Sequence, residues 1–225
     1  MDLIYIINNE AGSESFHVRG EQHRYIVKAR RQEVGDIIHF RNLDDMKILY
    51  EYEITEIDVR SVSFTIVGSQ IKEVKSKKEL HVAWCVIDTN SIEKVLPSLS
   101  EIGVSRISFI YCDRSQRKIK LDFKRFERIL EASMQQCGRS DFIKFDTYNH
   151  LKDFVVEYQD VKVLDLCENI LDKSAELQRV LVGCEGGFSD EEREFLKTQE
   201  IFRLDTPMVL RSQSAVMAIA SKILL

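Results

Sequence analysis

The sequence predicts an α/β protein made of an all-β N-terminal region and a C-terminal domain built on a mostly parallel sheet. Three observations indicate this fold class. Apolar and polar residues alternate with period two before residue 70, strand patterns alternate with helical ones after residue 79, and a lysine-rich segment without glycine or proline separates the two regions. We therefore expect domains over 1–70 and 79–225, joined by a connector over 71–78.

The N-terminal region has the pattern of a meander or small barrel with one solvated face. Apolar residues at every second position predict a strand over 48–54 and another over 62–66, with a polar break between them. Gly35-Asp36 precedes a further strand over 37–40.

A basic stretch over 23–31 stands out because the chain has a net charge of −5. It could grip RNA phosphates, with Tyr25 available to stack on a base. A solvated helix face is the alternative, and the stretch taken alone favours it. Its cations are Arg24, Lys28, Arg30 and Arg31.

The C-terminal region alternates strands with helices, which is typical of a parallel sheet covered on both faces. Predicted strands lie at 81–87, 107–111, 162–166, 179–183 and 201–204, and predicted helices at 92–102 and 122–137. The final helix, 214–225, is apolar almost all round. It is either a central core helix or part of a subunit interface, and we favour a homodimer.

Composition indicates a cytoplasmic, metal-free protein that is not embedded in a membrane. The five cysteines are scattered and form no C-x-x-C pair, which suits free thiols in a reducing compartment better than a disulfide framework or a zinc site. No segment approaches membrane-spanning length, and the apolar run near the N-terminus is too short for a signal peptide.

The chain is organised around the stretch VGCEGGFSDEE over 182–192, which contains three of the nine glycines. A short apolar strand precedes it, and Ser189 with Glu192 has the spacing of a capping box, so the glycines lie on a tight turn from strand to helix. Glycine there lets a ligand approach the backbone. A connection that binds nothing fits the spacing equally well. The pattern matches neither the dinucleotide fingerprint nor the P-loop.

A second motif, LRSQSA over 210–215, opens the last helix. It brings Arg211 and several polar side chains to a place where backbone amides are free. Capping by Ser212 would explain the serine but not the arginine. Arg139 lies beyond the glycine that ends the helix over 122–137, where a cation also complements the helix dipole.

Taken together, these motifs resemble those of a known protein family. VGCEGGFSDEE and LRSQSA, with EIGV, DRSQRK and QQCGR upstream, closely resemble the RsmE family of 16S ribosomal RNA uridine-N3 methyltransferases, which belong to the SPOUT (trefoil-knot) superfamily. The resemblance implies an N-terminal PUA-like RNA-binding β-barrel and a knotted α/β domain that binds S-adenosylmethionine. It further implies a homodimer acting on a decoding-site uridine of the small ribosomal subunit.

The resemblance also implies site residues. Arg211, Gln213, Ser214 and Arg139 are the catalytic candidates. Expected cofactor-binding positions are Leu164, Gly183, Cys184, Glu185, Gly186, Gly187, Leu204, Thr206, Val209 and Leu210. Expected RNA-binding cations are the four of the basic stretch together with Arg114 and Arg117, with Lys118 and Lys120 beside them.

This chain departs from the family pattern at several of these positions. Cys184 replaces a proline, Thr206 a glycine, Met208 an arginine, Gln213 a glutamate and Ser214 a threonine. Two alternatives therefore stay open beside the methyltransferase: a non-catalytic RNA-binding protein, and an enzyme of the same class acting on another RNA.

Overall fold

The computed structural model describes residues 4–116, 118–172 and 177–225. These residues form two compact units, which together give a mixed α/β fold. One unit contains the chain up to Lys75 together with Met134–Asp141, and the other contains Ser76–Ser133 and Phe142–Leu225. The α/β class predicted from the sequence is confirmed.

The N-terminal unit is an open, half-barrel sheet with two short helical turns. Its strands run in the order β1-β3-β4-β5-β2; β1 pairs with β3 in parallel and the other pairs are antiparallel. Four aromatic rings lie at its centre, and the rings of Phe16 and Phe40 contact each other and those of Tyr52 and Phe64 with centroids 4.8–5.6 Å apart. The elements are β1 (Ile6–Ile7), β2 (Ser15–Arg19), α1 (Gly20–Arg24), a π-helix (Tyr25–Ala29), β3 (Ile37–Asn42), β4 (Asp45–Ile57) and β5 (Ser61–Ile71).

Met134–Asp141 joins this unit through contacts that the sequence does not predict. The Tyr5 hydroxyl donates to the Arg139 carbonyl (2.5 Å), and the Ile7 amide donates to Gln135 Oε1 (2.9 Å). These hydrogen bonds link residues more than 120 positions apart, so no local sequence pattern predicts them.

The C-terminal unit is built on a six-stranded sheet in which every neighbouring pair is parallel, in the order β11-β9-β10-β6-β7-β8. The predicted parallel sheet is therefore confirmed. Its elements are β6 (His81–Cys85), α2 (Thr89–Ile102), β7 (Arg106–Ile110), α3 (Phe123–Cys137), β8 (Lys144–Tyr148), α4 (Leu151–Glu157), β9 (Lys162–Leu164), β10 (Arg179–Val182), α5 (Asp190–Leu196), β11 (Ile201–Phe202) and α6 (Ser212–Leu224). The last residues of α3, from Met134 onward, belong to the N-terminal unit.

The sequence does not predict β8, which is an edge strand of this sheet. Its residues are exposed or only half-buried, so the strand lacks the apolar signal that marks a buried one. By contrast, all five residues of the central strand β6 are buried. In such a sheet, ligands bind outside the carboxyl ends of the strands, near a point where the strand order reverses.

The expectation of five free thiols is wrong for Cys85 and Cys112, which form a disulfide with their Cα atoms 5.7 Å apart. Both are buried. Cys85 ends β6 and Cys112 follows the neighbouring strand β7, so parallel pairing brings together two cysteines 27 residues apart. Sequence spacing does not show this proximity. Cys137, Cys167 and Cys184 are free thiols.

No helix in the described part of the chain is both long and apolar enough to cross a membrane.

Candidate active site

A cavity of about 600 Å³ lies at the carboxyl ends of β9 and β10. Its walls come from 164–166, from the glycine-rich turn over 182–188, and from the segment over 203–212, with Arg193 and Ala215 completing the lining. Its volume lies within the range of small-molecule sites. Every position that the resemblance assigns to the cofactor lines this cavity: Leu164, Gly183, Cys184, Glu185, Gly186, Gly187, Leu204, Thr206, Val209 and Leu210.

The glycine-rich turn has the conformation that its sequence predicts. Ser189 Oγ accepts from the Glu192 amide (3.2 Å) and Glu192 Oε2 accepts from the Ser189 amide (2.8 Å), so the predicted capping box is confirmed. Gly187 donates its amide to the Cys184 carbonyl (2.9 Å) and has a φ of +68°. A side chain at that φ is strained, which explains the glycine.

The loop after β7 holds the far end of this turn. Arg114 Nη1 donates to the Gly186 carbonyl (2.8 Å), and Ser189 Oγ lies 2.6 Å from Asp113 Oδ2. The Asp113 amide also donates to Glu192 Oε1 (2.9 Å). Arg114, predicted from the sequence as an RNA-binding cation, therefore has one guanidinium nitrogen bonded to the turn while its side chain stays exposed.

Three charged residues that line the cavity, Asp165, Arg193 and Arg203, do not stand out in the sequence. Asp165, directly after β9, forms a two-pronged ion pair with Arg193 of α5, with Nε–Oδ2 3.0 Å and Nη2–Oδ1 3.4 Å. The hydrogen bonds that the Arg193 guanidinium donates to the Asp165 carboxylate raise the pKa of Arg193. An acidic residue at the end of a parallel strand was the available signal.

The departures from the family pattern leave the cavity open. The Thr206 hydroxyl accepts from the Met208 amide (3.2 Å), so this side chain is bonded to its own backbone segment. Cys184 is buried and its Sγ donates to the Gly187 carbonyl (3.5 Å). Burial raises the pKa of this thiol, so it stays protonated and unreactive at neutral pH.

The catalytic candidates fall into two groups. Arg211 is the exposed N-cap residue of α6 and lines the cavity, whereas Gln213 and Ser214 lie in the first turn of α6 and are not among the lining residues. Gln213 Oε1 is buried and has no hydrogen-bond partner within the described residues. Arg139 lies in the N-terminal unit, is 5% exposed, and pairs with Asp141 (Nη2–Oδ2 3.0 Å). Its catalytic role stays a prediction.

The basic stretch covers the end of α1, the π-helix and the two residues after it, and its four cations are exposed. His23 and Ile26 are buried and anchor this segment, and the Arg30 guanidinium lies 5.5 Å from the centre of the Tyr25 ring. Exposed cations here are Arg24, Lys28, Arg30 and Arg31, and Lys118 and Lys120 are exposed in the C-terminal unit. Arg117 lies outside the described residues.

Comparison with known proteins gives one consistent result. The family model described as an RNA methyltransferase domain matches residues 74–224. Ribosomal RNA small subunit methyltransferase E of Helicobacter pylori strain 26695 is 38% identical over 208 residues, covering 91% of this chain and 92% of the relative. The protein of that name from strain J99 is 36% identical, covering 96% and 97%.

A solved structure has the same fold. Ribosomal RNA small subunit methyltransferase E from Neisseria gonorrhoeae, bound to S-adenosyl methionine, superposes with a TM-score of 0.74 at 15% identity and covers 97% of this chain and 95% of that one. The chain therefore belongs to the RNA methyltransferase family that includes ribosomal RNA small subunit methyltransferase E.

Proposed function

We propose that this protein is an S-adenosylmethionine-dependent methyltransferase that modifies N3 of a uridine in the 16S ribosomal RNA of the small ribosomal subunit. The central observation is the cavity of about 600 Å³ at the glycine-rich turn, because its lining includes every cofactor position expected from the sequence. The names of the Helicobacter pylori relatives support the RNA substrate, and the ligand of the Neisseria gonorrhoeae structure supports the cofactor.

The residues of the cavity fit such a cofactor. Leu164, Leu204 and Leu210 offer apolar surface to an adenine ring, and the carboxylates of Asp165 and Glu185 suit hydroxyl and ammonium groups. When bound, S-adenosylmethionine supplies an electrophilic methyl group on a sulfonium.

In this proposal the first turn of α6 prepares the uracil. N3 of uracil carries a proton that must pass to water or to an RNA phosphate before or during attack, so negative charge develops on the ring. Arg211, at the N-terminus of α6, stabilises that charge together with the positive end of the helix dipole. Ser214 is exposed in the same turn and offers a hydroxyl that orients the uracil edge, and Gln213 stays a predicted second contact to the base.

The finer architecture also belongs to this proposal. We assign 1–70 to a PUA-like RNA-binding barrel, 71–78 to a connector and 79–225 to a SPOUT trefoil-knot domain. The open sheet with its exposed basic helical turns supports the first assignment. The six-stranded parallel sheet, with the cavity at the carboxyl ends of β9 and β10, supports an α/β cofactor-binding domain, and the resemblance alone supplies the trefoil knot.

A homodimer in the cytoplasm completes the proposal. Val216, Ile219 and Ile223 form a buried face of α6, whereas Met217 and Ala218 are half-exposed. Large apolar side chains at the cavity rim, Met208 and Val209, are also exposed, and burial against a second copy would remove them from water. Ribosomal RNA as substrate favours a cytoplasmic location.

Two measurements test the function. Calorimetry with S-adenosylmethionine is expected to show binding, and no binding at millimolar cofactor would leave the non-catalytic RNA-binding alternative. Mass spectrometry of ribosomal RNA from cells with and without the gene is expected to show N3-methyluridine in 16S RNA only when the gene is present. An unchanged level would point to another RNA substrate or to no enzyme. The Thr206 hydroxyl accepts a hydrogen bond from the Met208 amide and leaves the cavity open, which favours the enzyme over the non-catalytic alternative.

A further inference from the structure

Ser212 joins the centre of the parallel sheet to the glycine-rich turn. Its hydroxyl accepts a hydrogen bond from Trp84 Nε1 (2.8 Å) and donates one to the Gly183 carbonyl (2.5 Å). The Ser212 side chain is 4% exposed and Trp84 is fully buried. The capping role that the sequence suggests for Ser212 is wrong, because Arg211 is the N-cap residue and no side chain caps this helix.

The order of donors fixes the direction of the hydroxyl hydrogen. An indole N–H can only donate, so the Ser212 oxygen must accept from Trp84. The single hydroxyl hydrogen is then free to point at the Gly183 carbonyl. Trp84 and Ser212 are buried and Gly183 is half-buried, so removing the hydroxyl would leave the buried indole donor unpaired and would release the Gly183 carbonyl.

This hydrogen bond also orients the turn. The peptide between Gly183 and Cys184 is planar, so fixing its carbonyl fixes the direction of the Cys184 amide. Gly183, Cys184 and Ser212 all line the cavity, and they belong to two different walls. Arg114 and Asp113 hold the other end of the turn at Gly186 and Ser189, so Ser212 acts at the end that those contacts do not reach.

We propose that Ser212 is a positioning residue for the cofactor: with Trp84 it holds the Gly183 end of the glycine-rich turn in the geometry that receives S-adenosylmethionine. This inference rests on the proposed function. A wall that is already fixed before the ligand arrives reduces the ordering cost of binding, and losing that order weakens affinity. Ser212 touches the cavity and is not required to take part in proton or methyl transfer.

The test compares Ser212→Ala with two other serine variants. Calorimetry is expected to show that Ser212→Ala weakens S-adenosylmethionine binding roughly five- to tenfold, the effect of losing about one buried hydrogen bond. Ser212→Thr keeps the hydroxyl and is expected to retain most of the affinity. Ser221→Ala is the matched control, since it makes the same change in a half-buried serine near the other end of α6.

A second substitution separates positioning from general loss of stability. Trp84→Phe removes the indole donor, and we expect the double variant with Ser212→Ala to bind the cofactor no more weakly than Ser212→Ala alone, because both changes break the same chain of hydrogen bonds. RNA affinity of Ser212→Ala, measured by filter binding, is expected to match wild type. Far-ultraviolet circular dichroism checks that each variant is folded.

The outcomes are distinguishable. If wild type does not bind S-adenosylmethionine, the proposed function fails. If wild type binds and Ser212→Ala binds equally well, or if Ser221→Ala loses as much affinity as Ser212→Ala, the function stands and the role of Ser212 is overturned. If the losses of cofactor affinity from Trp84→Phe and Ser212→Ala add up in the double variant, the two residues do not act through one chain of hydrogen bonds, and the proposal is overturned.

Discussion

His81, the first residue of β6, makes the stability of the C-terminal unit depend on pH. It is 7% exposed, its Nε2 lies 2.7 Å from Ser108 Oγ, and its ring meets those of Phe154 and Tyr158 edge to face. Burial, followed by the nearby charges of Arg106 and Arg179, lowers the pKa of this imidazole to about 4, against the smaller opposing effects of Glu157 and Asp160.

The direction of the pH dependence follows from the pKa values of His81 in the folded and unfolded protein. In the unfolded chain the imidazole takes up its proton as the pH falls through about 6.5, whereas in the folded protein it stays neutral until about pH 4. Between those values the unfolded state binds more protons, so stability is fully present above pH 6.5 and falls as the medium becomes more acid. At 1.36 kcal/mol per pKa unit, the loss between pH 7 and pH 4.5 is about 2–3 kcal/mol.

Urea denaturation of wild type and His81→Gln at pH 7 and pH 4.5 measures this effect. The single tryptophan, Trp84, is buried in the same strand, so its fluorescence reports unfolding of this unit. Other titrating groups affect both proteins alike, so the stability of wild type relative to His81→Gln is expected to fall by about 2–3 kcal/mol on acidification. A His150→Gln variant, which removes an exposed imidazole from the same unit, controls for the substitution itself. If wild type and His81→Gln lose stability in parallel, burial does not keep the imidazole neutral.

Three further predictions concern the site, the RNA and the disulfide. Arg211→Ala is expected to lower turnover about 100-fold while cofactor affinity, measured by calorimetry, stays near wild type; an equal loss in both would make Arg211 a cofactor ligand instead. Combining Arg30→Ala with Arg31→Ala is expected to weaken RNA binding and to flatten its log–log salt dependence by about 0.7–0.9 per lost phosphate contact, with cofactor affinity unchanged; an unaltered slope would exclude these cations from the interface. Thiol titration in denaturant is expected to find three free cysteines before reduction and five after it, and five free thiols at the outset would contradict the disulfide. Reducing the Cys85–Cys112 disulfide is expected to lower the free energy of unfolding by about 3 kcal/mol.

The sequence by itself determined the features that a few neighbouring residues encode. The alternation of apolar residues in β4 and β5, the succession of strands and helices after residue 79, and the capping box at Ser189 all follow from local periodicity and local hydrogen bonding. Glycine at position 187 is explained the same way, because the positive φ of the turn disfavours any side chain.

Only the tertiary structure decided which distant residues meet. The order β11-β9-β10-β6-β7-β8 makes neighbours of strands that do not follow one another along the chain. The parallel register of β6 and β7 sets Cys85 beside Cys112, and Ser212 of α6 lies between Trp84 of β6 and the Gly183 carbonyl after β10. Each of these residues is unremarkable in its own segment, since a cysteine or a serine has no periodic signature that names its partner. Their contacts depend on the register and crossover of whole strands, and that information is spread over the entire chain.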